Sequence, residues 1–194
     1  MQIAIIGTGF IATTLGRPLA RAGHQVVYGS RRPGDDAALA ADAGGRVASL
    51  GEALSGAEVV ILALPGAAVV DLTAAHGEAL VDALVIDATN QMGAEVANAR
   101  ASLPTSVRYA RAFNTLGGEN MADPVIDGQQ LDMFFSAPAA DHDTVATVID
   151  AVGLRPVYLG EDKEALTDAL FRVWIALAIE QGRGRRLGLK LLQG

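Results

Sequence analysis

Gly7-Thr8-Gly9-Phe10-Ile11-Ala12 stands directly behind the apolar run Ile3-Ala4-Ile5-Ile6. Spaced glycines after a short β-branched run, at the opening of a helical pattern, predict a strand, a tight turn and a helix. The first glycine turns the chain off the strand. The second has no side chain, so a pyrophosphate can come close to the backbone, and Ala12 takes the small-residue position where helix meets strand. The first helical turn offers free N–H groups and the positive end of the dipole to an anion. Ile11, Leu15 and Leu19 share one face of that helix, and Gly23 is a natural stop. Pro18 predicts a kink inside it. This is the setting of a dinucleotide-binding loop, with Gly7, Thr8, Gly9, Phe10 and Ile11 as its candidate contacts.

The second strand narrows the choice of dinucleotide. Gln25-Val26-Val27-Tyr28 runs into Gly29-Ser30-Arg31-Arg32. A site for NAD places an acidic residue here, on the ribose 2′-hydroxyl. Ser30, Arg31 and Arg32 instead offer a hydroxyl donor and two guanidinium forks, which suit a 2′-phosphate. The expected cofactor is NADP(H). Asp35 and Asp36 are expected behind Pro33 in the first turn of the next helix, where acids suit the dipole.

Apolar runs and helical patterns alternate along the chain. Strands are expected at 2–6, 25–29, around Val47, and at 58–63, 84–86, 107–111, 131–135 and 155–158. Helices are expected at 10–22, 35–43, 50–55, 67–79, 141–152 and 163–181, with a further piece after Gly93. The pattern predicts an α/β fold, a Rossmann-like doubly wound and mainly parallel sheet. Residues 1–160 form the NADP-binding domain in this reading, and 161–194 a small helical C-terminal extension packed on it. Residues 114–130 form the longest irregular stretch. The net charge of −7 opposes nucleic acid and anionic membrane surfaces as partners. With no cysteine and three scattered histidines, no metal site is expected. The start lacks the pattern of a signal peptide, and the longest apolar stretch, 59–70, contains Pro65 and Gly66, so a cytoplasmic protein is expected.

In an open α/β sheet the ligand lies beyond the carboxyl ends of the strands. Ala63-Leu64-Pro65 ends the fourth strand and is placed to flank ribose and pyrophosphate. Asp87-Ala88-Thr89-Asn90 ends the fifth. Thr89 and Asn90 bring hydroxyl and amide donors, while Asp87 is better suited to capping backbone groups. Asn114, after the sixth strand, can present its amide to the nicotinamide or act as a turn residue bonded to its own backbone. No acid–base pair stands out, and no catalytic residue is assigned. Hydride transfer between two ring cofactors needs stacked rings and excluded water rather than a strong acid or base.

Gly7-Thr8-Gly9 with Ala12, Tyr28-Gly29-Ser30-Arg31-Arg32, Asp87-Ala88-Thr89-Asn90 and the stretch from Ala112-Phe113-Asn114-Thr115 to Asp123-Pro124 together resemble the NADPH-dependent deazaflavin (coenzyme F420) reductases. The cytosolic domains of six-transmembrane metalloreductases look related. The resemblance implies a Rossmann fold with a small C-terminal extension, often paired in dimers. It implies 2′-phosphate contacts from Ser30, Arg31 and Arg32 and nicotinamide-side contacts near Pro65 and Asn114. It also implies hydride exchange between NADP(H) and coenzyme F420 or a flavin as co-substrate.

Imine and hydroxyacid reductases resemble the N-terminal half too, but usually add a large helical domain. A non-catalytic NADPH-binding sensor is the rival from another class. Phe171 to Ile179 is almost continuously apolar and holds the only tryptophan, Trp174. Such a helix needs cover on more than one side, which a second subunit meeting Trp174 in a homodimer or the rest of its own domain can give.

Overall fold

The structure, a computed structural model, describes residues 1–91 and 98–193, and only the backbone of residues 40 and 41. The helical piece expected after Gly93 lies outside the described residues. The strands are β1 (Gln2–Ile6), β2 (Gln25–Ser30), β3 (Arg46–Ser49), β4 (Val59–Leu62), β5 (Leu84–Asp87), β6 (Arg108–Arg111), β7 (Val125–Ile126), β8 (Gln129–Gln130), β9 (Asp132–Ser136) and β10 (Arg155–Gly160). The helices are α1 (Phe10–Arg21), α2 (Ala37–Ala43), α3 (Leu50–Leu54), α4 (Ala68–Val81), α5 (Gly118–Ala122), α6 (His142–Ala151) and α7 (Glu164–Ile175), which runs into a π-helical turn over Ala176–Glu180.

Eight strands form one sheet in the order β10-β9-β6-β5-β4-β1-β2-β3. The six from β3 to β6 are parallel. β9 is antiparallel to β6, and β10 runs parallel to β9. Alternation along β1 shows why the sheet is covered on both faces. Ile3 and Ile5 pack with Ala12, Leu15 and Leu19 of α1 and with Val145, Val148 and Ile149 of α6. Ala4 and Ile6 point the other way, onto Ala53 and Leu54 of α3 and Val69, Leu72 and Leu80 of α4. A central strand with both faces buried has to be apolar at every position, which is the run that opens the chain.

The chain leaves β1 toward β2 on one side and later returns to β4 on the other. The loops behind β1 and β4 therefore part at their carboxyl ends, and a crevice opens there. Ser49 ends β3 and begins α3 through a capping box. The Glu52 N–H donates to its hydroxyl, and its own N–H donates to the Glu52 carboxylate. That cap sets Leu50 beside the crevice.

Several expectations are corrected. α1 runs unbroken through Pro18 to Arg21, because near the helix end the proline forfeits a single backbone bond. Asp35 and Asp36 are not in the first turn of α2. Their N–H groups donate to the carbonyl of Arg32, closing a turn, and the helix begins at Ala37. The stretch 114–130 contains α5 and the β7–β8 hairpin, whose turn residues Asp127 and Gly128 both have positive φ. An Asp-Gly pair is a standard hairpin signal for that reason.

Beyond Glu180 the extension is not helical but folds back as an extended strap. Trp174 is 2 % exposed and donates its indole N–H to the carbonyl of Leu187 at 2.8 Å. The Arg185 guanidinium lies over the same ring and pairs with Glu119. Arg155, Lys190 and the Leu191 N–H converge on the buried carboxylate of Asp132. Burial opposes that charge, but the hydrogen bonds outweigh it and hold the carboxyl below its ordinary range. Trp174 is thus covered by its own chain. The exposed apolar side chains near it are Leu166, Val173 and Ile179. No helix among the described residues is long and apolar enough to cross a membrane.

Trp174→Glu should therefore act on folding. Loss of a buried tryptophan costs about 3–5 kcal/mol, and a carboxylate in its place adds to that. Urea unfolding should show a lower midpoint and an unfolding free energy reduced by at least ~3 kcal/mol. An unchanged midpoint would mean that the strap does not cover the ring in solution.

Candidate dinucleotide site

The crevice at the carboxyl ends of β1, β2 and β4 encloses about 370 Å³. Gly7, Thr8 and Gly9 form one wall, Gly29, Ser30, Arg31 and Arg32 one end, and Ala63, Leu64 and Pro65 the facing rim. Leu50, Ala68 and Leu72 add an apolar flank. The wall depends on two glycines for different reasons. Gly7 has φ +131°, and a Cβ there would sit 2.3 Å from the carbonyl oxygen of Ala63. Only glycine lets β1 pass so near the end of β4. Gly9 has ordinary extended backbone, and a Cβ there would meet nothing within 4 Å. The space beside it opens on the crevice rather than on protein.

Gly9 is the N-cap of α1. Its side gives no capping bond, and no acidic residue stands in the first turn. The first intrahelical bond runs from the Thr13 N–H to the Gly9 carbonyl. The N–H groups of the first turn, Phe10 and Ile11 among them, thus lie before the helical ladder and carry the positive end of the dipole. Phe10 and Ile11 themselves do not line the crevice, and the Phe10 ring is largely exposed.

At the other end Ser30 is buried to 6 % exposure while Arg31 and Arg32 reach into solvent. Ser30 Oγ accepts the N–H of Arg32 at 2.8 Å and donates to Asp36 Oδ2 at 2.5 Å. Arg32 Nε lies 3.6 Å from Asp35 Oδ2, with both side chains mostly exposed. Asp36 also lines the crevice. Reading the chain alone placed this carboxylate in a helix turn. Its aim toward Ser30 comes from the turn over Arg32–Asp36.

Thr89, Asn90 and Asn114 do not line the crevice. They surround Arg111, which is fully buried at the end of β6. Its guanidinium donates from Nε to Asp168 Oδ1 on α7 at 2.9 Å, with Nη2 2.8 Å from the same oxygen. It also donates to the carbonyls of Asp87 and Thr89 and to Asn90 Oδ1. Asn90 Nδ2 donates to the carbonyl of Asn114, and Asn114 Nδ2 donates to Asp168 Oδ1. Asp87 accepts the N–H groups of Thr89 and Ala99 and the hydroxyl of Tyr109, so it caps backbone as its place suggested. Burial, with the Asp87 charge beside it, pushes the Tyr109 hydroxyl far up. Thr89 Oγ1 and Asn114 Oδ1 are buried with no hydrogen-bond partner among the described residues. Phe113, just before Asn114, has φ +60°, a strained value for a bulky residue, and its N–H meets Met133 Sδ at 3.2 Å.

Arg111 and Asp168 were not singled out from the sequence. The signal was an arginine inside the short apolar strand 107–111; its partner stands 57 residues away. A buried pair of this kind is costly to break, by about 3–5 kcal/mol when one partner is removed. It ties α7 to the strand ends behind the crevice.

Residues 2–91, a little under half of the chain, match the family model described as NADP oxidoreductase, coenzyme F420-dependent. Over that segment the chain is similar to this family. A solved structure from Arthrobacter sp. FB24, named as a candidate F420-dependent NADP reductase, is 25% identical over the whole of both chains, with a TM-score of 0.83. An imine reductase from Streptomyces aurantiacus is 18% identical, with a TM-score of 0.73. A reductive aminase from Aspergillus terreus, in complex with NADPH and ethyl levulinate, is also 18% identical, with a TM-score of 0.71. The chain is covered to 91% in both of these comparisons and spans 61% of each of those proteins' lengths. These two likenesses bear on the fold.

Gly9→Val tests what the wall is for. The backbone there is extended and the space is open, so the variant should fold with an unchanged melting temperature. Its isopropyl group should fill the approach to α1, and binding of NADPH and NADH should both fall below detection in calorimetric titration. A folded variant that binds as well as the parent would make the loop a mere turn.

Proposed function

We propose that the crevice binds NADP(H) and that the protein passes hydride between this cofactor and a flat redox acceptor, a deazaflavin such as coenzyme F420 or a flavin. One observation carries the reading: an uncapped helix N-terminus and a serine–arginine–arginine end face the same crevice. The family match over residues 2–91 and the NADPH-bound neighbour support it.

The residues divide the work. The first-turn N–H groups of α1 take the pyrophosphate beside Gly9, where no side chain intervenes. Leu50, Ala68 and Leu72 give the apolar flank that a flat base needs. Ser30, Arg31 and Arg32 take the 2′-phosphate, the arginines as planar forks. Ala63, Leu64 and Pro65 shield the ribose side from water. When bound, NADPH supplies the hydride. The chain's own part is to hold the ring edge in place and keep water away, which requires no titrating group. Asn114, with its unpaired Oδ1, stands behind that end as a candidate acceptor for a carboxamide N–H, reached only if the buried cluster shifts.

A second reading, reduction of an imine or hydroxyacid-type carbonyl, draws on the fold shared with imine reductases. Steady-state oxidation of NADPH with deazaflavin, flavin, ferric and imine acceptors separates the two readings. Turnover with none of them, alongside tight NADPH binding, points to a sensor.

In cofactor choice, NADPH should bind at least tenfold tighter than NADH, a gap of about 1.4 kcal/mol. Arg31→Ala should erase much of that gap and leave NADH binding nearly untouched. Equal affinities in the unmodified protein would contradict the assignment of Ser30, Arg31 and Arg32.

A further inference from the structure

We infer that Asp36 is a specificity-determining residue of the crevice, set against the 2′-phosphate and in favour of a ribose 2′-hydroxyl. This rests on the dinucleotide reading above and concerns how strongly the site discriminates.

The inference follows from the valence of one hydroxyl. Ser30 Oγ has one hydrogen and two lone pairs. The hydrogen goes to Asp36 Oδ2 at 2.5 Å, and one lone pair takes the Arg32 N–H at 2.8 Å. A phosphate dianion only accepts hydrogen bonds. It cannot accept from Ser30 until the Ser30 hydrogen turns away from Asp36, and it must then lie beside the carboxylate. A ribose hydroxyl can donate, either to the remaining lone pair of Ser30 or to Asp36. The residue credited to the phosphate is therefore already committed to an acid that suits the hydroxyl.

The N–H groups of Asp35 and Asp36 both donate to the Arg32 carbonyl, at 3.1 and 3.3 Å, so the turn holds the Asp36 backbone within side-chain reach of Ser30. Asp35 stands 3.6 Å from Arg32 Nε and faces the same guanidinium a phosphate would use, though this pair is exposed and weak. The crevice end thus carries two opposed sets: Arg31 and Arg32 for the phosphate, and Asp36 through Ser30 for the hydroxyl. The preference for NADPH is the difference between them.

The test uses the full chain with Asp36→Asn and Asp36→Ala, and calorimetric Kd values for NADPH and NADH. Asn keeps the size and can still accept from Ser30, while its amide can donate to a phosphate. Asp36→Asn should tighten NADPH by about tenfold and weaken NADH by about threefold. Asp36→Ala should widen the NADPH-over-NADH ratio by at least about fivefold. The same direction should appear with 2′,5′-ADP against 5′-AMP, which locates the effect at the phosphate. Melting temperatures near the parent's confirm that the turn survives. A ratio within twofold of the parent in both variants, or NADPH weakened by both, would overturn the inference while leaving NADPH binding intact. If the parent binds no dinucleotide, the cofactor reading falls and takes this inference with it.

Discussion

The approach of Gly7 to the carbonyl of Ala63 is the contact on which the site depends. β1 and β4 are neighbours in the sheet, yet the chain leaves them toward opposite sides, and the crevice is the gap between those departures. Any Cβ at Gly7 would stand 2.3 Å from that carbonyl oxygen and force the two strand ends apart. The turn also delivers Gly9 to the head of α1 with nothing in front of it. Sheet order, close packing and an open helix N-terminus thus meet within three residues. The proposed anion site is a consequence of topology as much as of side chains.

A second constraint lies behind the crevice. The fully buried Arg111 gathers Asp168 from α7 with Asp87, Thr89 and Asn90 from the end of β5. Such a cluster adds little net stability over an apolar core, but breaking it is costly, so it favours one arrangement. It fastens the C-terminal extension to the strand ends, and the strap over residues 181–193 completes that fastening at Trp174 and Asp132. The strained Phe113 and two of the three buried polar atoms without a partner among the described residues, on Thr89 and Asn114, lie in the same region.

Much of this was legible in the chain. The run Ile3–Ile6 with Gly7 and Gly9 announced strand, turn and helix, because double-sided burial and close approach leave those residues few substitutes. β4 announced itself in the same way, whereas β3 showed only as a short piece around Val47. Ser30, Arg31 and Arg32 could be placed at a strand end from spacing alone. What stayed hidden depends on partners far away in sequence or on the aim of a short turn. Nothing near Trp174 says that Leu187 returns to cap it. Nothing in Asp35-Asp36 says that the second carboxylate faces Ser30. Nothing around Asn114 in the chain says that its amide N–H meets Asp168 on α7. Asp127-Gly128, by contrast, is a hairpin turn readable in the chain within 114–130.

The central claim is that the loop behind β1 and the end of β2 form one binding surface for NADP(H). Amide resonances followed by NMR during titration with NADPH test it residue by residue. The account predicts saturable shifts at Gly7 to Ile11 and at Gly29 to Arg32, with one shared Kd, and little change at β9 and β10. Shifts centred on β9 and β10, or none at the glycine loop under saturating NADPH, would contradict it.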